Sequence, residues 1–386
     1  AYTLFNALEF KENRFHILPL ILRLGLSALG AVTLLALARL FYQPYFYWFG
    51  SGYGQIDAWQ GGHTPISSYF THWGVFLFLI FAWMVWETRE WMASTPLSSL
   101  GKLKPYQLVI ELSLAAFFVA LVYLLYRGAV ISLIALPMAF WAAILILRPN
   151  QSDAKRWVLF MIGTSLALTI AVEIIVLVGD IGRMNTVFKL YLQAWTMLSV
   201  SAAAAFGWTL PAVTFWRTRW RNLWQVGLTL LLTGAALFTI TGTLDKIRDR
   251  MNPEVPHTLD AMTFMETSTF WDAVNMDLGQ DYRAIRWMQD NVQGSPVIVE
   301  GNCPEYRWCT RFTIYTGLPG VLGWNWHQRQ QRGFVEPLLV ENRLAEITDF
   351  YNTVDPAAAV AFLKKYNIRY IIVGQVESIY YPGAGL

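Results

Sequence analysis

Charge is what this sequence has least of. Only 14% of its 386 residues are Asp, Glu, Lys or Arg, the net charge is +3, and the basic residues are dispersed. A nucleic-acid partner is therefore set aside, because no long basic tract offers itself to phosphates. Cysteine is scarce, at two residues, and histidine numbers five. No HExxH, Walker loop, GxSxG or zinc-ligand spacing occurs, which removes the commoner hydrolase and NTPase motifs. The chain begins with Ala, and residues 1–14 (AYTLFNALEFKENR) lack the pattern of a cleavable signal peptide. The expectation is an internal piece of a longer protein or a trimmed chain.

What is abundant is apolar. Hydrophobic residues make up 55% of the chain, with 18 Trp and a mean hydropathy of +0.37, too apolar for an ordinary soluble enzyme. Seven windows approach the roughly 20 apolar residues a membrane-crossing helix needs. They lie near 18–42, 70–87, 107–126, 128–147, 157–178, 190–214 and 223–242. Basic residues of the connecting segments fall unevenly. One alternate set holds Lys11 and Arg14, then Arg89, Lys102 and Lys104, then Arg148, Lys155 and Arg156, then Arg217, Arg219 and Arg221. The other holds only Arg127, Arg183 and Lys189, so the bias is eleven to three. Lys and Arg collect on the cytoplasmic side, which predicts a cytoplasmic amino end and an extracytoplasmic carboxyl end at the cell membrane.

After Thr243 the text turns polar (LDKIRDRMNPEVPHTLD) and no later window could span. The division expected is a multi-pass helical domain over 1–242 and an extracytoplasmic α/β domain over 243–386. In the latter, DYRAIRWMQDNV and DPAAAVAFLKKYN read as helices, PVIVE and IRYIIVG as strands, and YTGLPGVLGWNWH as a turn region. Asp355 and Pro356 make an N-cap and first helical position. Cys303 and Cys309, six apart with Pro304 between, can close a small disulfide loop in that compartment. Two unpaired thiols remain the alternative, and zinc is disfavoured.

The sharpest chemistry stands between two apolar runs, in VEIIVLVGDIGRMNTVFKLYLQAW (172–195). A helix starting after Asp180 or Gly182 sets Asn185, Lys189 and Gln193 on one stripe. Arg183 and Lys189 could pair with phosphate oxygens, with Asn185 and Gln193 toward a polar head. Asp180 could be a base, a metal ligand or the acid that positions Arg183; as plainly, it could cap the helix while the cations snorkel. Glu173, seven residues earlier, is an intramembrane carboxylate and a candidate by that fact, or else a structural partner of Arg23 or Arg39. A second cluster, YTGLPGVLGWNWHQRQQRG, holds Trp324, His327 and Arg332, suited to a sugar ring, a phosphate or an aromatic interfacial belt.

Three stretches, GDIGRMNTVFKLYLQAW, TGLPGVLGWNWHQRQQRG and LKKYNIRYIIVGQVESIYY, resemble in order the carboxyl-terminal part of the YYY membrane protein family. That family is in turn similar to the GT-C integral-membrane glycosyltransferases. The resemblance implies a polyprenyl-phosphate-linked sugar donor used at the extracytoplasmic face and leaves a divalent metal open as cofactor. The acid usual for that class sits in a first outer loop expected to precede this chain. The resemblance therefore names no catalytic residue, and Asp180 and Glu173 stay candidates. The competing reading is a transporter or lipid-binding membrane protein without covalent chemistry.

Overall fold

A computed structural model describes residues 17–48, 55–251, 253, 255–332 and 338–385. Lys11 and Arg14 lie outside the described residues. The elements run α1 (Ile17–Phe41), α2 (Gln43–Trp48), β1 (Ile56–Ala58), α3 (Ile66–Ser94), α4 (Gln107–Tyr126), α5 (Ser132–Ile146), α6 (Asp153–Ile174), β2 (Ile175–Leu177), α7 (Met184–Val213) and α8 (Thr218–Arg250). They continue with β3 (Thr269–Asp272), β4 (Val274–Asp277), α9 (Leu278–Asn291), β5 (Val297–Val299), α10 (Arg311–Thr316), α11 (Asn325–Arg332), α12 (Leu339–Asn352), α13 (Pro356–Lys365), β6 (Ile368–Ile371) and α14 (Gln375–Tyr380). Two compact units result, the first drawn from residues before 242 and the second from residues 242 onward together with α2.

Each apolar window is mostly helix, though the fourth begins in the turn before α5 and the fifth runs past α6 into β2. Among the described residues six helices are long and apolar enough to cross a membrane, and the fourth window is instead the 15-residue α5. At 1.5 Å per residue α5 reaches about 22 Å, short of the ~30 Å hydrocarbon core. The shortening has local causes. The α4–α5 turn takes Arg127 to Ile131, where Gly128 sits at φ +86°, and Pro149 follows the other end.

The first unit packs α3, α5, α6 and α7 around one core, with Trp73, Ile80, Trp83 and Met84 of α3 against Leu159, Ile162 and Leu166 of α6. Along α7 most buried positions are small, among them Ala194, Ser201, Ala202 and Ala205, with Leu198 the large exception in that stretch. Lipid tails are as apolar as Leu, so burial does not drive such helices together; close backbone approach over small residues does. By contrast α1, α4 and α8 keep their apolar sides almost wholly exposed, the surface that hydrocarbon would cover. An antiparallel pair, Ile56–Ala58 with Ile175–Leu177, closes one end of this unit.

The second unit is also mainly helical. Its strands form an antiparallel hairpin, β3–β4, and a parallel pair, β5–β6. The sequence pattern locates β5, β6, α9 and α13, and Asp355 caps α13 through Ala357 N at 2.9 Å. It misses the hairpin, and it reads as turn a region whose end is the helix α11. Tyr351 stitches the parallel pair to α12, its hydroxyl donating to Val299 O (3.2 Å) and Ile372 O (2.8 Å).

Candidate functional site

Glu173, in the last turn of α6, is fully buried. A carboxylate there is tolerable only if its lone pairs are met, and they are. Oε1 accepts from Thr64 Oγ1 at 2.6 Å and Arg183 Nη1 at 2.9 Å; Oε2 accepts from Thr64 N at 3.1 Å and lies 3.0 Å from His63 Nδ1. Arg183 gives two further donors inward as well, to Val172 O (2.6 Å) and Thr64 Oγ1 (3.1 Å), with its guanidinium 5.4 Å from the Trp59 ring centre. Trp59 is held by Ile174 O and by Arg127, whose Nη2 donates to the Trp59 carbonyl at 2.7 Å. His63 presses on Gly128, where an added Cβ would stand 3.0 Å from the ring. One carboxylate thus clasps the β1–α3 loop, the end of α6 and the entry to α7, while His63 and Arg127 bring in the α4–α5 turn. The structure gives Glu173 the partners Thr64, Arg183 and His63, while the Arg23 side chain suggested from the sequence lies outside the described residues.

Asp180 takes the capping role. Its Oδ1 accepts from Asn185 N (3.0 Å) and Nδ2 (3.1 Å), its Oδ2 from Thr186 N (2.8 Å) and Oγ1 (2.9 Å). These backbone donors are among those the first turn of α7 leaves open. Burial pushes the carboxyl upward, but the hydrogen bonds from Thr186 and Asn185 outweigh it and hold Asp180 below its usual range. With four donors on two oxygens Asp180 does not fit a metal ligand, and among the described residues no group of three His, Cys, Asp or Glu side chains could hold an ion. Asn185 is half-buried; Lys189 and Gln193 are exposed on the α7 flank, among exposed Phe188, Leu192 and Trp195.

Beside the clasp are two donors that sequence reasoning missed. The Trp73 indole N–H and the Tyr191 hydroxyl are closed from solvent, and neither makes a hydrogen bond of ordinary geometry. Their rings cross at 5.1 Å, the Tyr191 hydroxyl lies within reach of both Thr64 and the Trp73 N–H, and His72, exposed, caps the pair at 4.4 Å from Trp73. Trp73 stands seven residues into α3 and Tyr191 seven into α7, so both lie about 10 Å from their helix ends. Tyr191 follows Lys189 by two, an unremarkable aromatic position; only packing against α3 makes it polar chemistry.

At the far end of α3, Glu87 is also buried and binds Trp83 Nε1 (3.2 Å), Arg148 Nη1 (2.5 Å) and Lys155 Nζ. Twenty-one residues separate it from Ile66, about 32 Å along the axis, close to a hydrocarbon thickness. A buried, cation-held carboxylate thus marks each end of the helical unit.

The second unit carries its own buried network. Arg311 donates to Asp281 Oδ2 (2.7 Å) and Glu377 Oε2 (2.9 Å) and lies 3.8 Å from Glu300. Burial raises the Glu300 carboxyl above its ordinary range even though it accepts from Phe312 and Thr313 N–H. Cys303 and Cys309 form a disulfide. Trp324, His327 and Arg332 lie in or beside α11, with Trp324 Nε1 bonded to Cys309 O at 3.2 Å; no hydrogen bond joins Arg332 to the other two.

Apolar helices of membrane length, packed through small residues and bounded by buried ion clusters, define a multi-pass membrane protein. The chain belongs to the family described as "Uncharacterized membrane protein (DUF2298)", which matches residues 3–198. That span contains the Glu173 clasp, the Asp180 cap and Tyr191. No curated protein and no solved structure matches the chain.

Proposed function

We propose that the protein is a GT-C-like membrane glycosyltransferase, or the carboxyl-terminal portion of one, taking sugar from a polyprenyl-phosphate carrier at the extracytoplasmic face. The observation that carries the reading is the buried polar pair Trp73 Nε1 and Tyr191 OH, which have each other and Thr64 within reach and make no hydrogen bond of ordinary geometry. A buried donor wholly without an acceptor costs about 1–3 kcal/mol, and a poorly aligned one part of that, which an incoming oxygen relieves. Phosphate oxygens fit such a pair of donors, while Lys189, two positions before Tyr191 and so on another face of α7, supplies positive charge to the membrane boundary at large. Arg183 acts on the lipid only by holding the clasp in shape.

In the transfer an acceptor hydroxyl attacks the anomeric carbon, the carbon–oxygen bond to phosphate breaks, and polyprenyl phosphate departs with the bond's electron pair. The hydroxyl proton passes to a base, for which this chain's clasped Glu173 and capped Asp180 are poor candidates. Donors aimed at the departing phosphate stabilise its growing charge. The transporter reading has less support: a coupling carboxylate must release its partners, and Glu173 holds four contacts from three residues.

The test uses the protein in lipid nanodiscs with a polyprenyl-phosphate analogue. Tyr191→Phe is expected to weaken binding about tenfold to hundredfold, a loss of ~1.5–3 kcal/mol. Wild-type affinity in Tyr191→Phe, or sugar crossing the bilayer without transfer, overturns the proposal.

A further inference from the structure

We infer that the second unit carries a saccharide-binding platform built from Tyr306, Trp324, His327 and the α11 face beneath them. It stands apart from the lipid-phosphate reading and assigns a ligand class to the Trp324–His327–Arg332 segment.

The platform is aromatic, open and fixed. Tyr306 is 74% exposed and Trp324 40%. His327 lies between them, 6.0 Å from the Tyr306 ring at 88° and 5.5 Å from the Trp324 ring at 42°. The Trp324 indole cannot swing, since its N–H is bonded to Cys309 O. Tyr306 is at the middle of the loop that the Cys303–Cys309 disulfide closes, in the left-handed region at φ +64°. Arg307 beside it pairs with Asp272 at 3.2 Å, which also accepts from Tyr380 OH at 2.6 Å. A surface fixed in advance loses little freedom on binding.

Polar atoms behind the rings lack partners. Asn325 is 7% exposed; its Nδ2 donates to Asn302 Oδ1 at 3.0 Å, but its Oδ1 accepts from nothing. His327 Nδ1 is likewise closed from solvent and without a hydrogen bond. Trp324, Gln328 and Arg332 follow at every fourth position along α11, and Arg332 Nε bonds Gln328 Oε1 at 3.3 Å. The face therefore reads ring, amide, guanidinium. A pyranose matches that order: its C–H face lies on the electron-rich face of an aromatic ring while its hydroxyls meet amide, guanidinium and imidazole.

The test screens the full chain, in detergent, against an array of oligosaccharides, with hits measured by calorimetry. Tyr306→Ala and Trp324→Ala are expected to lower affinity for the bound saccharide at least tenfold, and Tyr306→Phe to keep it. An intact Cys303–Cys309 peptide and an unchanged melting curve verify folding, and unchanged polyprenyl-phosphate affinity in Tyr306→Ala separates this site from the one above. No saccharide bound by the folded wild type, or binding indifferent to both alanine variants, overturns the inference. So does a nitroxide on Gln331→Cys that in nanodiscs is reached by oxygen in preference to a water-soluble nickel chelate, which would make the patch a membrane contact.

Discussion

Glu173 shows how one buried charge can organise several segments. Removing one partner from such a pair typically costs ~3–5 kcal/mol, because the other stays buried without compensation. Arg183→Met is therefore expected to lower the melting temperature in detergent sharply, and the double variant Glu173→Gln with Arg183→Met to recover part of the loss. Additive losses would mean the two side chains are not coupled. Asp180 is a smaller matter of the same kind. Asn caps as well as Asp, so Asp180→Asn should be nearly neutral and Asp180→Ala should cost about 1 kcal/mol. Because its folded value is depressed, its contribution is present above the ordinary 3.8 and fades as pH falls through the folded value. The difference in stability between wild type and Asp180→Ala should accordingly shrink on acidification.

At the scale of elements, α10 depends on Glu300, whose carboxylate accepts from Phe312 and Thr313 N–H. Burial raises this carboxyl, so the folded state holds its proton more firmly than the unfolded chain. That contribution is complete below the ordinary 4.5 and is lost as pH rises through the folded value. Comparing Glu300→Gln with wild type from pH 4.5 upward, the balance of stability should move toward the variant; a constant gap would show that Glu300 does not titrate there. The loop before α10 rests on its disulfide. Closing so short a loop is worth about 2 kcal/mol in the chain-entropy account, so Cys303→Ser with Cys309→Ser should lower stability by that order. Non-reducing mass spectrometry of the wild type should show the linked peptide.

For the whole molecule the expectation concerns sidedness. The eleven-to-three bias of basic residues argues for a cytoplasmic Asn222 and an outer Gln328. A cysteine introduced near Asn222 should be protected from an impermeant reagent in intact cells, and one near Gln328 should react. The reverse pattern would turn the lipid-phosphate site toward the cytoplasm. Arg148 and Lys155, two of the eleven, also close on Glu87, so the residues that bias orientation double as the ion cluster at that end of α3.

Several features were legible along the chain because their physics is local. Spans announce themselves by length and composition, the α13 cap by Asp355–Pro356, and the polar stretch around Asp180 by its contrast with the runs on either side. The length of α5 was harder to read, since apolar composition continues through the turn at Gly128 that tertiary contacts with His63 and Trp59 stabilise. The partners of Glu173 could not be read, because Thr64 and His63 are about 110 positions away in sequence and meet it only when α3, α6 and α7 pack. The poorly satisfied donors of Trp73 and Tyr191 are likewise a property of packing: a sequence displays which groups can donate, and only the fold decides which of them are left without a well-placed acceptor.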